Sequence, residues 1–149
     1  MHRRNILWGV VIAFGAAFAA SRAGAATEKP ATARLKVVYH LSDLDKVSFV
    51  LGNIQNHIDG VGGPDNVTIA LVVHGQALRA FHAASANPEV SKRVGQFSKV
   101  GLEFAACGNT MKSQNVGLKD LLPGFVAAET GGVVRIAELQ SQGYLYLRP

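Results

Sequence analysis

The chain of 149 residues has one cysteine, Cys107, and its surroundings offer the most chemistry. It closes the run Val100-Gly101-Leu102-Glu103-Phe104-Ala105-Ala106-Cys107, where Glu103 is the only clearly polar side chain before the thiol, as in a buried strand. Gly108 permits a sharp turn directly after it. Asn109 is suited to cap a short helix through Thr110, Met111 and Lys112. A thiol delivered to a helix start meets the partial positive charge of free backbone amides, which favours thiolate. Gly108, Asn109 and Thr110 are therefore the expected seat for an anion. Two imidazoles hold comparable places: His40 closes one apolar run and His74 closes another. A thiol beside two imidazoles could exchange protons near neutral pH. The competing reading is plainer. Free cysteine packs as a small apolar residue, and strand ends tolerate any polar side chain. A third reading is a soft-metal site for Cu(I) on Cys107 and Met111, although such a pair is ordinarily packing. No motif for a flavin, nicotinamide or nucleotide cofactor is present.

The elements that must position these residues alternate between strand and helix. Leu35–His40 reads as the first strand. Ser42 with Asp45 has the spacing of a capping box, and Val47, Val50, Leu51, Ile54 and Ile58 then share one helical face. The glycine-rich stretch 60–65 follows a helix, where a phosphate loop would follow a strand, so it reads as a turn. Val67–Val73 is β-branched and almost wholly apolar, hence a central strand. Gln76–Ala84 reads as helical, with Leu78 and Phe81 inward. Asn87-Pro88 opens a helix over Glu89–Lys99, and the run from Val100 to Cys107 is the third strand. Leu118–Leu122 is a helical turn, Phe125–Ala128 a fourth strand, and Thr130 caps a last helix over Gly131–Gln142, with Val133, Ile136 and Ala137 inward. Tyr144–Leu147 closes as a fifth strand. His57 and His82 fall on helices as surface residues. Strands separated by helices imply a mainly parallel five-stranded sheet in a single-domain, three-layer α/β sandwich of flavodoxin-like type. Such sheets bind ligands outside the carboxyl ends of their strands. An order of 2-1-3-4-5 would bring His40, His74 and Cys107 together there.

Residues 1–25 read as a secretory signal peptide: Arg3-Arg4, an apolar run from Ile6 to Ala20, and Ala23-Gly24-Ala25 as the cleavage pattern. The run is short for a membrane span, which needs about 20 apolar residues. Arg3-Arg4-Asn5-Ile6-Leu7, with Arg22, resembles the twin-arginine export signal, and a general secretory signal stays open. The mature chain then has a tail over residues 26–33, a domain over residues 34–149, a periplasmic location and no membrane attachment. Loss of three arginines lowers the formal net charge from +5 to 5 − 3 = +2. No basic run or basic–aromatic alternation remains, which argues against nucleic-acid binding. One cysteine cannot form an internal disulfide, and in an oxidising compartment it is buried, paired between chains, or reactive.

Val72-Val73-His74-Gly75, the segment Phe104–Met111, Asp120-Leu121-Leu122-Pro123-Gly124 and the ending Leu139–Pro149 together resemble the DsrE/DsrF-like family. The resemblance covers nearly all of the mature chain. It implies a small α/β domain of DsrE-like type, assembled into homotrimers or hexamers. In the sulfur-relay members a cysteine after the equivalent strand carries persulfide sulfur between a donor and an acceptor protein, and Cys107 stands at that position. Those members work in the cytoplasm, whereas this chain reads as exported. On this view Cys107 is the nucleophile, tuned by His74 and His40. The alternative is a non-catalytic oligomeric binding module.

Overall fold

The computed structural model describes residues 34–149; the signal-peptide and tail segments read from the sequence lie outside them. Five strands, β1 (Leu35–Leu41), β2 (Val67–Val73), β3 (Glu103–Cys107), β4 (Phe125–Ala128) and β5 (Leu145–Leu147), form one sheet, and every neighbouring pair is parallel. The order is β4-β3-β2-β1-β5 rather than the flavodoxin-like 2-1-3-4-5. Burial explains the difference. β2 is covered on both faces, as its apolar sequence demands, and takes the centre. β5 is exposed along its whole length and fits only an edge. The chain steps outward from β1 to β4 and then returns across the sheet to the far side of β1.

Helices α1 (Val47–Gly60), α2 (Pro88–Lys99), α3 (Gly108–Gln114) and α4 (Gly132–Ser141) make the connections, with 3₁₀ segments between them. The larger core lies on one face, where Val37, Tyr39, Ile69, Leu71 and Phe104 of the sheet meet side chains from α1, α2, the 3₁₀ segment Gly75–Phe81 and Met111 of α3. On the other face, α4 packs Ile136 and Leu139 on Val38, Ala70, Val72 and Ala105, with Tyr144 against the same cluster. Strand alternation therefore turns His40, Ala105, Cys107 and Tyr146 to the α4 side.

Several local expectations are met. The five apolar positions of α1 are all buried. The Asn87 side chain accepts from the Glu89 amide at 2.8 Å, with Pro88 at the first position of α2. Gly62 and Gly63 take positive φ in the turn after α1.

Other expectations are corrected. The Ser42–Asp45 capping box does not form, and α1 begins at Val47 after a 3₁₀ turn. The carbonyls of Leu41 and Ser42 instead accept from the amides of His74 and Ala77 as the chain leaves β2. The helix expected over Gln76–Ala84 is the 3₁₀ segment Gly75–Phe81. Val100–Leu102 belong to the turn closing α2, with Gly101 at φ 88°, so β3 begins at Glu103. Thr130 does not cap α4: Gly131 holds the cap position at φ 109°, and the later start rotates Gly132, Ile136 and Leu139 inward. Val133 and Ala137 are consequently exposed.

Candidate functional site

The loops leaving β3 and β4 run to opposite faces, one into α3 on the side of the larger core and one into α4 on the other. Adjacent strands whose loops diverge in this way open a crevice at their carboxyl ends. Cys107 ends β3 in that crevice, opposite Ala128 of β4. Its own extended backbone occupies the cap position of α3, so Asn109 lies inside the helix rather than capping it.

Two glycines make the approach possible. A Cβ on Gly108 would stand 3.0 and 3.1 Å from the carbonyl oxygens of Ala128 and Glu129, so α3 can start only this close to β4 without a side chain. A Cβ on Gly132 would stand 3.2 Å from the Cβ of Cys107 and 3.4 Å from that of His74. The first residue of α4 thus packs beside the Cβ atoms of both Cys107 and His74.

Cys107 is 6% exposed. Burial pushes its thiol up, but hydrogen bonds from the Thr110 hydroxyl and from the amides of Gly132, Thr110 and Asn109 hold it, on balance, below the ordinary value. The hydroxyl is oriented for this task. Thr110 Oγ1 accepts from the Gly75 amide at 2.9 Å, which leaves the hydroxyl hydrogen free of that bond. Gln114 completes the brace, donating to the Gly75 carbonyl at 2.8 Å while its own carbonyl oxygen lies 2.8 Å from His82 Nε2. Amides from the starts of two helices therefore converge on one sulfur, an arrangement that stabilises negative charge.

The expected histidines lie on the same rim. His40 Nε2 is hydrogen-bonded to His74 Nε2, and the two rings meet end to end with centroids 4.7 Å apart and planes inclined by 25°. His40 Nδ1 pairs with the Tyr146 hydroxyl at 2.6 Å. Burial, followed by the neighbouring His74 and Arg148, pushes His40 down to about 4, with Asp43 opposing. His74 is lowered by burial and by Arg148, again against Asp43. Arg148 is held at this edge by Ser42 Oγ at 3.0 Å and by Asp43 at 3.6 Å. Both imidazoles are therefore neutral at neutral pH.

His57 and His82 stand apart from this group and are half-buried rather than on the open surface: His57 Nδ1 pairs with the Tyr39 hydroxyl at 2.8 Å, and His82 with Gln114. Met111 is packed in the larger core. Among the described residues no cluster of three or more His, Cys, Asp or Glu side chains has metal-binding geometry. The sequence reading missed Gly132, Tyr146 and the Thr110 hydroxyl. The tandem Gly131-Gly132 ahead of a helix was the one signal that could have revealed the first.

An open cleft of about 320 Å³ runs between β4 and α4, lined by Ala105, Val126, Ala128, Thr130, Arg135 and Glu138 among others. It leads to the thiol end of the sheet. Arg135 spans from α4 to Glu103 of β3 at 2.7 Å and closes one wall. No helix among the described residues is long and apolar enough to cross a membrane.

An all-parallel α/β domain with a thiol at the divergence of two strand-to-helix loops is the class of protein that these features define. The chain belongs to the DsrE/DsrF-like family, whose pattern matches residues 13–149. No curated protein matches it. Among solved structures it resembles MTH1491 from Methanobacterium thermoautotrophicum, a protein of unknown function, with a TM-score of 0.67 and 27% identity over 77% of this chain and 99% of that one. BT1422 from Bacteroides thetaiotaomicron, also of unknown function, gives a TM-score of 0.57 at 14% identity over 76% and 94% of the two chains. The ychN protein from E. coli gives 0.56 at 9% over 77% and 100%; the last two likenesses speak for the fold alone.

Proposed function

We propose that this protein carries sulfane sulfur as a persulfide on Cys107. The observation that carries the reading is the convergence of the Thr110 hydroxyl and three amides on a sulfur whose pKa is lowered despite burial. In loading, the Cys107 thiolate attacks the outer sulfur of a donor persulfide, R–S–SH. The new Cys107–sulfur bond forms as the donor S–S bond breaks, R–S⁻ departs, and nothing is oxidised or reduced overall. In unloading, an acceptor thiolate attacks the outer sulfur and Cys107 leaves as the stabilised thiolate. The cleft between β4 and α4 is the approach for the partner segment that bears the donor or acceptor sulfur. Arg3-Arg4 and Ala23-Gly24-Ala25 support an exported, periplasmic carrier with a mature start near Ala26.

The test combines two measurements. Alkylation rate against pH in the folded protein is expected to rise with a midpoint below the model thiol value of about 8.5. Mass spectrometry after exposure to a persulfide donor is expected to show one added sulfur on the wild-type protein and none on Cys107→Ser. The same spectrum of protein from its native host reports whether residues 1–25 have been removed. A thiol that reacts only after denaturation and gains no sulfur would sink the reading.

A second reading, an oligomeric binding module, is favoured by the apolar surface at the open sheet edge. Leu145, Tyr146 and Leu147 are 55%, 41% and 39% exposed on β5. The two readings are compatible, because β1 and β2 lie between the thiol's strand and that edge.

A further inference from the structure

The hydroxyl of Tyr146, the ring of His40 and the ring of His74 form one continuous hydrogen-bonded chain at the carboxyl ends of β5, β1 and β2. Its inner end, His74, shares a neighbour with Cys107: a Cβ on Gly132 would stand 3.4 Å from the Cβ of His74 and 3.2 Å from that of Cys107. Its outer end is a tyrosine that is 41% exposed.

We propose that Tyr146, His40 and His74 form a proton relay that serves the thiol of the sulfur donor or acceptor, with Tyr146 as the positioning residue that fixes its polarity. The proposal rests on the persulfide reading of Cys107 and deepens it.

The chain has two polarities, and both are neutral. In the first, Tyr146 O–H donates to His40 Nδ1, His40 Nε2–H donates to His74 Nε2, and His74 carries its proton on Nδ1. In the second, His74 Nε2–H donates to His40 Nε2, His40 Nδ1–H donates to the tyrosine oxygen, and His74 Nδ1 is bare. During loading, R–S⁻ leaves the donor and takes the Nδ1 proton of His74. The chain shifts to the second polarity as Tyr146 passes its proton inward, and a proton from water replaces it on the tyrosine oxygen. During unloading, bare Nδ1 takes the proton of the acceptor R′–SH, and one proton leaves at Tyr146. One proton enters for each that departs, so no imidazolium forms at any stage.

This answers a difficulty in the site. His74, the ring offered to the partner's thiol, is lowered by burial and so is a weaker base than a free imidazole. Coupled to a second ring and a solvent-facing hydroxyl, it exchanges protons without bearing charge. The charged groups facing the chain are Asp43 and Arg148, which lie 3.6 Å apart and oppose one another. The amides and Thr110 already favour the thiolate of Cys107 over an ordinary thiol. The partner's thiol, with an ordinary value of about 8.5, needs a base.

The experiment uses the folded protein and Tyr146→Phe, which retains the ring beside His40 and removes only the hydroxyl. Nitrogen NMR of the imidazoles should show both histidines singly protonated at neutral pH in wild type. The signals of His74 should move on Tyr146→Phe, although the two residues do not touch. Sulfur transfer from a small-molecule persulfide to a thiol acceptor should slow about tenfold, within the reach of general acid–base effects, and should lose its solvent deuterium isotope effect. The Cys107 alkylation midpoint should stay where it was. Unmoved His74 signals overturn the chain whether or not Cys107 loads sulfur. Moved signals with an unchanged transfer rate and isotope effect overturn the relay while sparing the carrier. A wild-type protein that takes up no sulfur removes the carrier reading, and the relay's role with it.

Discussion

At the residue scale, Thr110 joins the thiol seat to the rest of the protein. Its hydroxyl accepts from the Gly75 amide and is the group that most lowers the Cys107 thiol. Thr110→Val keeps the shape and removes both effects. The orphaned amide should lower stability by about 1–3 kcal/mol in chemical denaturation. The alkylation midpoint of Cys107 should move upward, since burial then acts with one donor fewer, and Thr110→Ser should restore most of both losses. Unchanged midpoints in the two variants would show that the hydroxyl does not tune the thiol. The seat was partly legible because Asn109 and Thr110 adjoin Cys107 in sequence, and a glycine followed by short polar residues signals a helix start. The remaining donor was not. The Gly132 amide arrives from a different helix, and no local pattern ties residue 132 to residue 107. Tyr146 escaped for the same reason: its partner His40 lies on a strand that only the sheet order brings alongside.

At the scale of elements, the closeness of α3 to β4 decides the geometry. Gly108→Ala would ordinarily favour a helix by about 1 kcal/mol. Here the new Cβ would press on two carbonyl oxygens and the Cα of Glu129, all backbone atoms that cannot rotate away. Overpacking of this kind costs about 1–3 kcal/mol, so the clash should win and the midpoint of denaturation should fall. Gly95, inside α2, has nothing within 4 Å of its would-be Cβ. Gly95→Ala should therefore stabilise by up to about 1 kcal/mol, and a matching gain at Gly108 would contradict the packing described. The buried face of α1 was readable to the residue because its apolar period is unbroken over three turns, although its start was placed too early at Ser42. α4 was placed one residue early because Thr130 looks like a cap. The glycine beside it, at positive φ, does the turning instead, and that shift exchanges which valines and alanines face the sheet.

At the scale of the molecule, the α/β class and the parallel sheet followed from the alternation of apolar runs with amphipathic ones. Strand order did not, because it depends on which strand can tolerate exposure, and a run such as Leu145-Tyr146-Leu147 looks interior on composition alone. Leu145, Tyr146 and Leu147 along the β5 edge are exposed, and contiguous apolar surface of this kind marks interaction sites. The protein is expected to self-associate, as a trimer or a multiple of three, and sedimentation at micromolar concentration checks it; a monomer alone would count decisively against the expectation. The same strand order bears on how the chain reaches its native state. β1 to β4 are joined to their neighbours by successive crossovers, each closing a modest loop. β5 reaches β1 only by closing a loop of more than one hundred residues, as the span of 106 between Tyr146 and His40 records. Long closures are late because their entropy is recovered last. In a refolding time course the sulfur should therefore regain its native reactivity before the imidazoles regain their native protonation, so that the newly folded protein passes through a stage at which it holds a thiolate but has no route for a partner's proton.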